Sequence, residues 1–507
     1  MQPRKIFIYT FVGSILILSL LYGYQGEILM RPHGIHIWRQ CDCAQFALNY
    51  YTESMNFFEP RLSWCTGNDG KMGSEFPIIY YSAALLYKVF GVHDYFIRFI
   101  NLLFFFIGLF YLFKAISLFL EDEFYGLILA LMAFTSPILI DYANNFLSDV
   151  PAISLSFIGI YYFLSFHNQN KSRELWKATF FFALAGLIKV TALMSFLAII
   201  GTMLLVFFFK LNKREEPVWL EHKKTLLAFI FLPLLISAVW IVYIKQYNLA
   251  NNNTYFLTTI LPIWNLDAVD IQLIAGRFEH YWLREFIYRD FTNTMPFVFL
   301  LCLFIPYRKN ASVVIWLCML IAAGAIYLLL FFTQFTVHDY YLICLIPIPI
   351  AICAVFLLRV KKWKPAFFKS KVVKVLLLVL FIVMIHHGRR LNTIREKNES
   401  WSYYSNSDFY KLETNINRLG IKPADKIISI GDGSTGESLY LLKRRGWTSL
   451  ALTQPKATET DIENCKAMGA KYVVISDSGD ERITPEAKNM YLRNELYNSD
   501  GVKIYKL

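Results

Sequence analysis

Apolar residues along this chain gather in runs near 20 residues long, separated by short polar segments. Eleven runs stand out, at roughly 6–25, 95–119, 124–140, 150–167, 177–194, 195–211, 225–246, 291–307, 311–333, 340–359 and 372–388. A helix of about 20 residues crosses a hydrocarbon core about 30 Å thick, so the pattern predicts eleven membrane spans. The runs at 124–140 and 177–194 are short for the task. Two longer polar stretches interrupt the rhythm, 26–94 and 247–290, and both fall on the same side of the predicted spans. The first carries Trp38, Phe46, Tyr50, Tyr51, Phe57 and Phe58, which suits short helices lying at a membrane interface. The second carries Trp264, Arg277, His280, Arg284 and Arg289.

From residue 389 the pattern changes. KIISIG at 426–431 and KYVVIS at 471–476 read as short buried strands, helical stretches near 436–445 and 457–469 separate them, and VKIYKL closes the chain. The expected fold class is an all-α polytopic membrane domain over residues 1–388, followed by a small α/β domain over 389–507.

Composition agrees with a membrane protein: 56% of residues are hydrophobic and 17% aromatic, with a mean hydropathy of +0.41. The net charge of +12 would suit nucleic acid if it formed one patch. Instead Lys and Arg cluster in short loops at 171–177, 210–224, 308–309 and 359–374. That bias marks cytoplasmic loops and an N-terminus inside, and an odd span count then puts the C-terminal domain outside the inner membrane. Membrane lipid is the expected partner and nucleic acid is not. Run 6–25 follows Arg4 and Lys5 as a signal peptide would, but no small-x-small site follows at 23–27. An uncleaved first helix is expected.

Of eight Cys, Cys302, Cys318, Cys344 and Cys353 lie in apolar runs as small hydrophobes. Cys41, Cys43 and Cys65 lie in the first outer loop, where a bridge from Cys65 to either of the others suits an oxidising compartment. The spacing leaves that pairing open. Cys41-Asp42-Cys43 with His33 and His36 lacks the second ligand pair of a structural zinc site.

Candidate chemistry concentrates in the first loop, in His36-Ile37-Trp38-Arg39-Gln40-Cys41-Asp42 and in Gly73-Ser74-Glu75-Phe76-Pro77-Ile78-Ile79-Tyr80. Asp42 follows the first span, close to the lipid surface, where a carboxylate can take a proton from an attacking hydroxyl. The alternative is a cap on a helix beginning near Cys43. Ser148-Asp149-Val150-Pro151 opens the fourth span, with Asp149 able to serve as an N-cap. Lys189, in Leu187-Ile188-Lys189-Val190-Thr191, is an ionisable residue inside an apolar run. At a helix centre that costs about 2.5–3.5 kcal/mol and marks function, unless the side chain snorkels to the interface. Val337-His338-Asp339-Tyr340-Tyr341-Leu342 is an aromatic entry to a late span carrying Pro347 and Pro349. In the C-terminal domain, Gly431-Asp432-Gly433-Ser434-Thr435-Gly436 lacks the ending of a phosphate loop and reads as a turn with an N-cap.

These motifs, in this order over about residues 1–390, resemble the GT-C class of membrane glycosyltransferases. They are most similar to the branch that holds protein O-mannosyltransferases and the lipid A aminoarabinose transferase. In that class an acidic residue early in the first outer loop is catalytic, and Asp42 occupies the matching place. Glu75 and Pro77 match the branch's acidic-Lys-Pro-Pro-Leu motif. Phe76 stands where Lys is frequent, so the resemblance does not assign phosphate binding to that loop. Asp149 with Pro151, the Lys189 segment and the His338-Tyr340-Tyr341 entry match three further motifs.

The resemblance implies transfer of a sugar from a polyprenyl phosphate to an acceptor glycan, lipid or protein on the outer side, in one inverting displacement. Asp42 would be the base. Lys189, His338, Tyr340, Tyr341 and Arg39 would bind the donor phosphate, with Glu75, Asp149 and His36 in support. No nucleotide or other cofactor is implied. A divalent metal is used by some members of the class and not by others, and Asp42 and Asp149 would hold one. The rival from another class is a transporter or flippase of a lipid-linked sugar, for which inverted repeats would be expected; the sequence has none.

Overall fold

The computed structural model describes residues 4–209, 221–256, 260–305, 311–397, 407–448, 456–499 and 501–507. Of the predicted basic loops, residues 210–220 of 210–224 and all of 308–309 lie outside the described residues.

The apolar runs become helices. Among the described residues seven, and not the eleven expected, are long and apolar enough to cross a membrane: Tyr95–Leu120, Asp149–Gln169, Val190–Phe208, Lys223–Ala250, Ser312–Leu330, Asp339–Trp363 and Lys371–Arg395. The predicted span at 124–140 is a pair, Glu123–Phe134 and Pro137–Ala143, bent by 73°. Ser136 causes that bend: its side chain caps the second helix and Pro137 follows at the first turn. Three other predicted spans fall on helices of 17, 17 and 16 residues, Lys5–Leu21, Ser172–Ile188 and Arg289–Phe304. At 1.5 Å per residue these reach only about 25 Å.

Lipid explains the outer surface. Only 28%, 22% and 11% of the apolar windows in Lys223–Ala250, Ser312–Leu330 and Lys371–Arg395 are buried. Phe231, Val239, Val372 and Ile382 are all more than half exposed, an apolar surface that water would not support. The protein is an integral membrane protein. Inside, helices close tightly where small residues meet: Gly108 lies against Ser154, and Gly126 against Ser117.

The C-terminal domain is a five-stranded mixed sheet, ordered β2-β1-β3-β5-β4. Its strands are β1 (Lys426–Ile430), β2 (Gly446–Thr448), β3 (Ala470–Ser476), β4 (Glu495–Ser499) and β5 (Val502–Lys506). The two strands legible as buried apolar runs, β1 and β3, are central neighbours and parallel. Strand β5 runs antiparallel to β3 and carries β4 at the edge. The last membrane helix runs on to Lys397, past the boundary expected at 388.

This domain is not separate from the first loop. Cys65 N–H donates to Gly446 O at 2.7 Å and Gly446 N–H to Ser63 O at 3.0 Å, so a piece of the first loop extends the sheet beside β2. Gly446 is required there, because a Cβ would collide with the Ile427 carbonyl. Arg445 ties the two parts further through Asp69 and Glu53, and Arg31 through Glu413 at 2.5 Å.

Candidate active site

The first loop folds into the helix Ile37–Thr52, which starts after His36 in a left-handed conformation, φ 56°. Arg39, Asp42, Cys43 and Phe46 recur at the i, i+3, i+4, i+7 spacing that puts side chains on one face. That face packs on Tyr80 and Phe256 through Phe46. Asp42 is 1% exposed. Thr435 Oγ1 donates to its Oδ1 at 2.5 Å and Tyr255 Oη to its Oδ2 at 3.3 Å. Arg39 Nη1 stands 3.9 Å from Oδ2. Burial pushes the Asp42 carboxyl up to about 6, against the pull of Arg39 and of the two hydroxyls.

Arg39 Nη2 also donates to both oxygens of Glu75, at 2.6 and 2.7 Å. Ser148 Oγ donates to Glu75 at 3.1 Å and Tyr80 Oη at 2.9 Å. Burial alone would raise the Glu75 carboxyl, but Arg39 and Lys189 outweigh it and hold the group well below its usual range. Glu75 is therefore a fixed anion that orders its neighbours. Phe76 turns to aromatic partners, Phe57 and Trp240, each with its ring 5.0 Å away.

Lys189 breaks the chain between two helices. Ser172–Ile188 ends, Lys189 is extended at φ −152°, ψ 112°, and a 3₁₀ turn leads into Met194–Phe208. Its Nζ donates to Asp149 Oδ2 at 3.2 Å and lies 5.7 Å above the Tyr340 ring. Asp149, Lys189, Thr191, Tyr327, Tyr340 and Tyr341 line a small cavity. His338 stacks on Tyr341 and tilts against Tyr340, and His36 meets the Tyr340 ring edge-on at 5.1 Å. His36 Nε2 in turn bonds Asp339 Oδ1 at 3.0 Å. Two buried polar atoms in this cluster, Arg39 Nη1 and His338 Nδ1, have no hydrogen-bond partner among the described residues. Such atoms are expensive to leave unpaired and fit a ligand that pairs them.

Polar contacts thus run from Asp42 through Arg39 and Glu75 to Ser148, whose chain neighbour Asp149 pairs with Lys189. All nine residues singled out in the sequence, Asp42, Lys189, His338, Tyr340, Tyr341, Arg39, Glu75, Asp149 and His36, belong to this one cluster or touch it.

Several expectations need correction. Asp42 is not a helix cap, because its helix begins five residues earlier, at Ile37. Lys189 is not inside a span but at the break between two, so the helix-centre cost does not apply to it. Asp149 is the first helical residue after the cap position Ser148, and its carboxylate is turned to Lys189. All eight Cys are free. Cys41 and Cys43 ride on the Ile37–Thr52 helix, whereas Cys65 packs into the C-terminal core beside Trp447, so the strand-like pairing with Gly446 holds it away from them. Hydroxyls engage Asp42 and Lys189 engages Asp149, and no three His, Cys, Asp or Glu converge among the described residues.

Sequence reasoning missed three contributors. Tyr255 comes from the second outer loop and Thr435 from the C-terminal domain. The third, Arg395, lies in the last turn of the final membrane helix, buried among Asp141, Glu285 and Asp339. Through Asp339 it braces His36 and Tyr142. The Gly431–Gly436 loop is the turn and cap expected, since Asp432 accepts from Ser434 N–H and Ser438 N–H. Its contact with Asp42 had no signal beyond Thr435 being a hydroxyl in a tight loop.

Known structures share this architecture from end to end. ArnT from Cupriavidus metallidurans in the apo state aligns with a TM-score of 0.61 at 11% identity, covering 98% of this chain and 97% of that one. The chain has the fold of the GT-C membrane glycosyltransferases. The same ArnT bound to undecaprenyl phosphate aligns with a TM-score of 0.60, again at 11% identity, over 98% and 97% of the two chains. The archaeal oligosaccharyltransferase AglB from Archaeoglobus fulgidus, in complex with an inhibitory peptide and a dolichol-phosphate, gives 0.52 at 12% identity, covering 96% of this chain and 73% of that one. The family described as dolichyl-phosphate-mannose-protein mannosyltransferase matches residues 74–243, a stretch that contains Glu75, Asp149 and Lys189 but neither Asp42 nor His338. No curated protein matches the sequence.

Proposed function

We propose that this protein is a glycosyltransferase that moves a sugar from a polyprenyl phosphate to an acceptor on the outer side of the membrane. One observation carries the reading: a buried carboxylate with a raised pKa, Asp42, lies in the same cluster as a cation, Lys189, that lines a small cavity beside Asp149 and the Tyr340–Tyr341 pair.

That cavity favours a lipid-borne donor. A space of about 420 Å³ lies among the spans, lined among others by Phe157, Ser195, Ile199, Val206, Ala351 and Lys362. The elements that line the Lys189 cavity, through Ile153, Ala192 and Cys344, continue into it. Ser195 to Val206 spans about 16 Å of helix, half the depth of a bilayer core. A phosphate on Lys189 would leave its prenyl tail pointing into this apolar space. Lys362 and His167, also lining that space, lie in or beside the loops whose Lys and Arg bias predicts the cytoplasmic side, which supports an outer placement of Asp42, Lys189 and the C-terminal domain.

The chemistry follows from the groups present. The acceptor O–H gives its proton to Asp42 as its oxygen attacks the anomeric carbon. The anomeric carbon–oxygen bond to the carrier breaks on the opposite face, and the electron pair stays on the phosphate oxygen, inverting the centre. Lys189 and Arg39 stabilise the leaving dianion, and His338 with the Tyr340–Tyr341 pair orients it. Glu75 and Asp149 hold the two cations in place before substrate arrives. ArnT bound to undecaprenyl phosphate and AglB in complex with a dolichol-phosphate, both of this fold, support a carrier of that class.

The test uses the full chain purified in detergent with radiolabelled polyprenyl-phosphate sugars. Release of carrier phosphate is expected from the unaltered protein and not from Asp42→Asn. Full release by that variant would refute the assignment of the base.

A further inference from the structure

The C-terminal domain reaches into the site at one point. The loop 431–436 leaves β1 and enters the helix Glu437–Leu441, and Thr435 at its tip donates to Asp42 Oδ1 at 2.5 Å. Both residues are 1% exposed, so no water competes for the contact. The loop is rigidly built. Asp432 accepts from the N–H groups of Ser434 and Ser438 at 2.8 Å each, Ser434 Oγ accepts from Gly436 N–H and Glu437 N–H, and Thr448 Oγ1 donates back to Ser434 O. It is also keyed to the helix that carries Asp42. Gln45, the next residue on that helix face, donates to Gly436 O at 3.2 Å, and a Cβ at Gly436 would press on the Gln45 amide at 2.8 Å.

We infer that Thr435 is a positioning residue for the sugar-transfer reaction, and that the C-terminal domain is thereby part of the active site. This rests on Asp42 being the base. A carboxylate free to rotate presents either oxygen, at any angle, to an incoming hydroxyl. With Oδ1 held by Thr435, Asp42 has one orientation, and Oδ2 faces the Arg39 and Tyr255 side of the site. The charged and titratable groups around the carboxylate are Arg39, Cys41 and Cys43 on its own helix, Glu75 beyond Arg39, Tyr255 from the second loop, and Asp432 and Glu437 in the C-terminal loop. Among the described residues, Thr435 supplies the donor to Oδ1 and Tyr255 the donor to Oδ2.

The expected effect is on turnover, not on donor affinity, since Thr435 does not touch the Lys189 cavity. A hydrogen bond to a charged group is lost in Thr435→Val, which keeps the shape of the side chain, and kcat should fall by about 10- to 100-fold. KM for the polyprenyl-phosphate sugar should stay within about twofold of the unaltered enzyme. Thr435→Ser restores the hydroxyl and should recover most of the rate. The experiment measures both constants for these two variants and Asp42→Asn on the full chain in lipid nanodiscs, with thermal melts alongside. Unchanged kcat in Thr435→Val overturns the inference, as does an equal fall in Thr435→Ser, which would mean packing and not the hydroxyl. An active Asp42→Asn enzyme is a different failure, because it removes the base itself.

Discussion

Replacing Lys189 by Met tests whether that cation serves the reaction or only neutralises Asp149. The pair is 3.2 Å apart, with side chains 21% and 8% exposed. Asp149 has no other salt-bridge partner among the described residues, so Lys189→Met strands a buried carboxylate. Breaking one half of a buried pair costs about 3–5 kcal/mol, a large share of a total stability of about 5–15 kcal/mol. Asp149→Asn in the same chain removes the stranded charge, and the double variant should regain most of that loss. Its activity should not return. A preorganised donor to a developing anion contributes about 10²–10³ in rate, and Met offers no charge to the leaving phosphate. The assay pairs thermal melts in detergent with release of carrier phosphate, for both single variants and the double. A double variant that melts like the parent and turns over like the parent would refute the role of Lys189 in transfer.

Three further outcomes follow from the site. Activity should fall as pH drops through about 6, where Asp42 takes up its proton. Because that folded value lies above the usual aspartate value near 3.9, the same group lowers stability as pH rises from about 4 to about 6; Asp42→Asn should melt higher than the parent at pH 7 and equally at pH 4. Arg395→Met leaves Asp141, Glu285 and Asp339 without their shared cation and should lower stability by about 3–5 kcal/mol, read as a drop in melting temperature that addition of donor does not reverse. Ile199→Trp fills the intramembrane cavity and should raise KM about tenfold for a long-chain polyprenyl-phosphate sugar while sparing a short-chain analogue; equal effects on both would remove the tail from that cavity.

The sequence carried the membrane architecture well because lipid asks for a local property. A run such as 95–119 is a span whatever its neighbours do, since every backbone group is satisfied within the helix. Strands β1 and β3 were legible for a similar reason, as short apolar runs between turn residues. Asp42 was reached from its place after the first span together with the family resemblance, and the same reasoning assigned it a false alternative as a cap. Lys189 was identified, but its break was not. The chain opens there beside Asp149 and near Glu75, residues that lie 40 and more positions earlier and whose approach no local period encodes.

The sequence by itself determined that the chain is a mostly helical membrane protein with apolar helices and a small C-terminal sheet, and it singled out Asp42, Glu75, Asp149 and Lys189. The tertiary structure alone decided what those charges meet. Thr435 lies 393 positions from Asp42, Tyr255 lies 213 away, and Arg395 reaches Asp339 across 56. Each contact exists because sheet extension, helix packing and buried ion pairs bring distant segments together, and those forces act through space, with no trace in residue order.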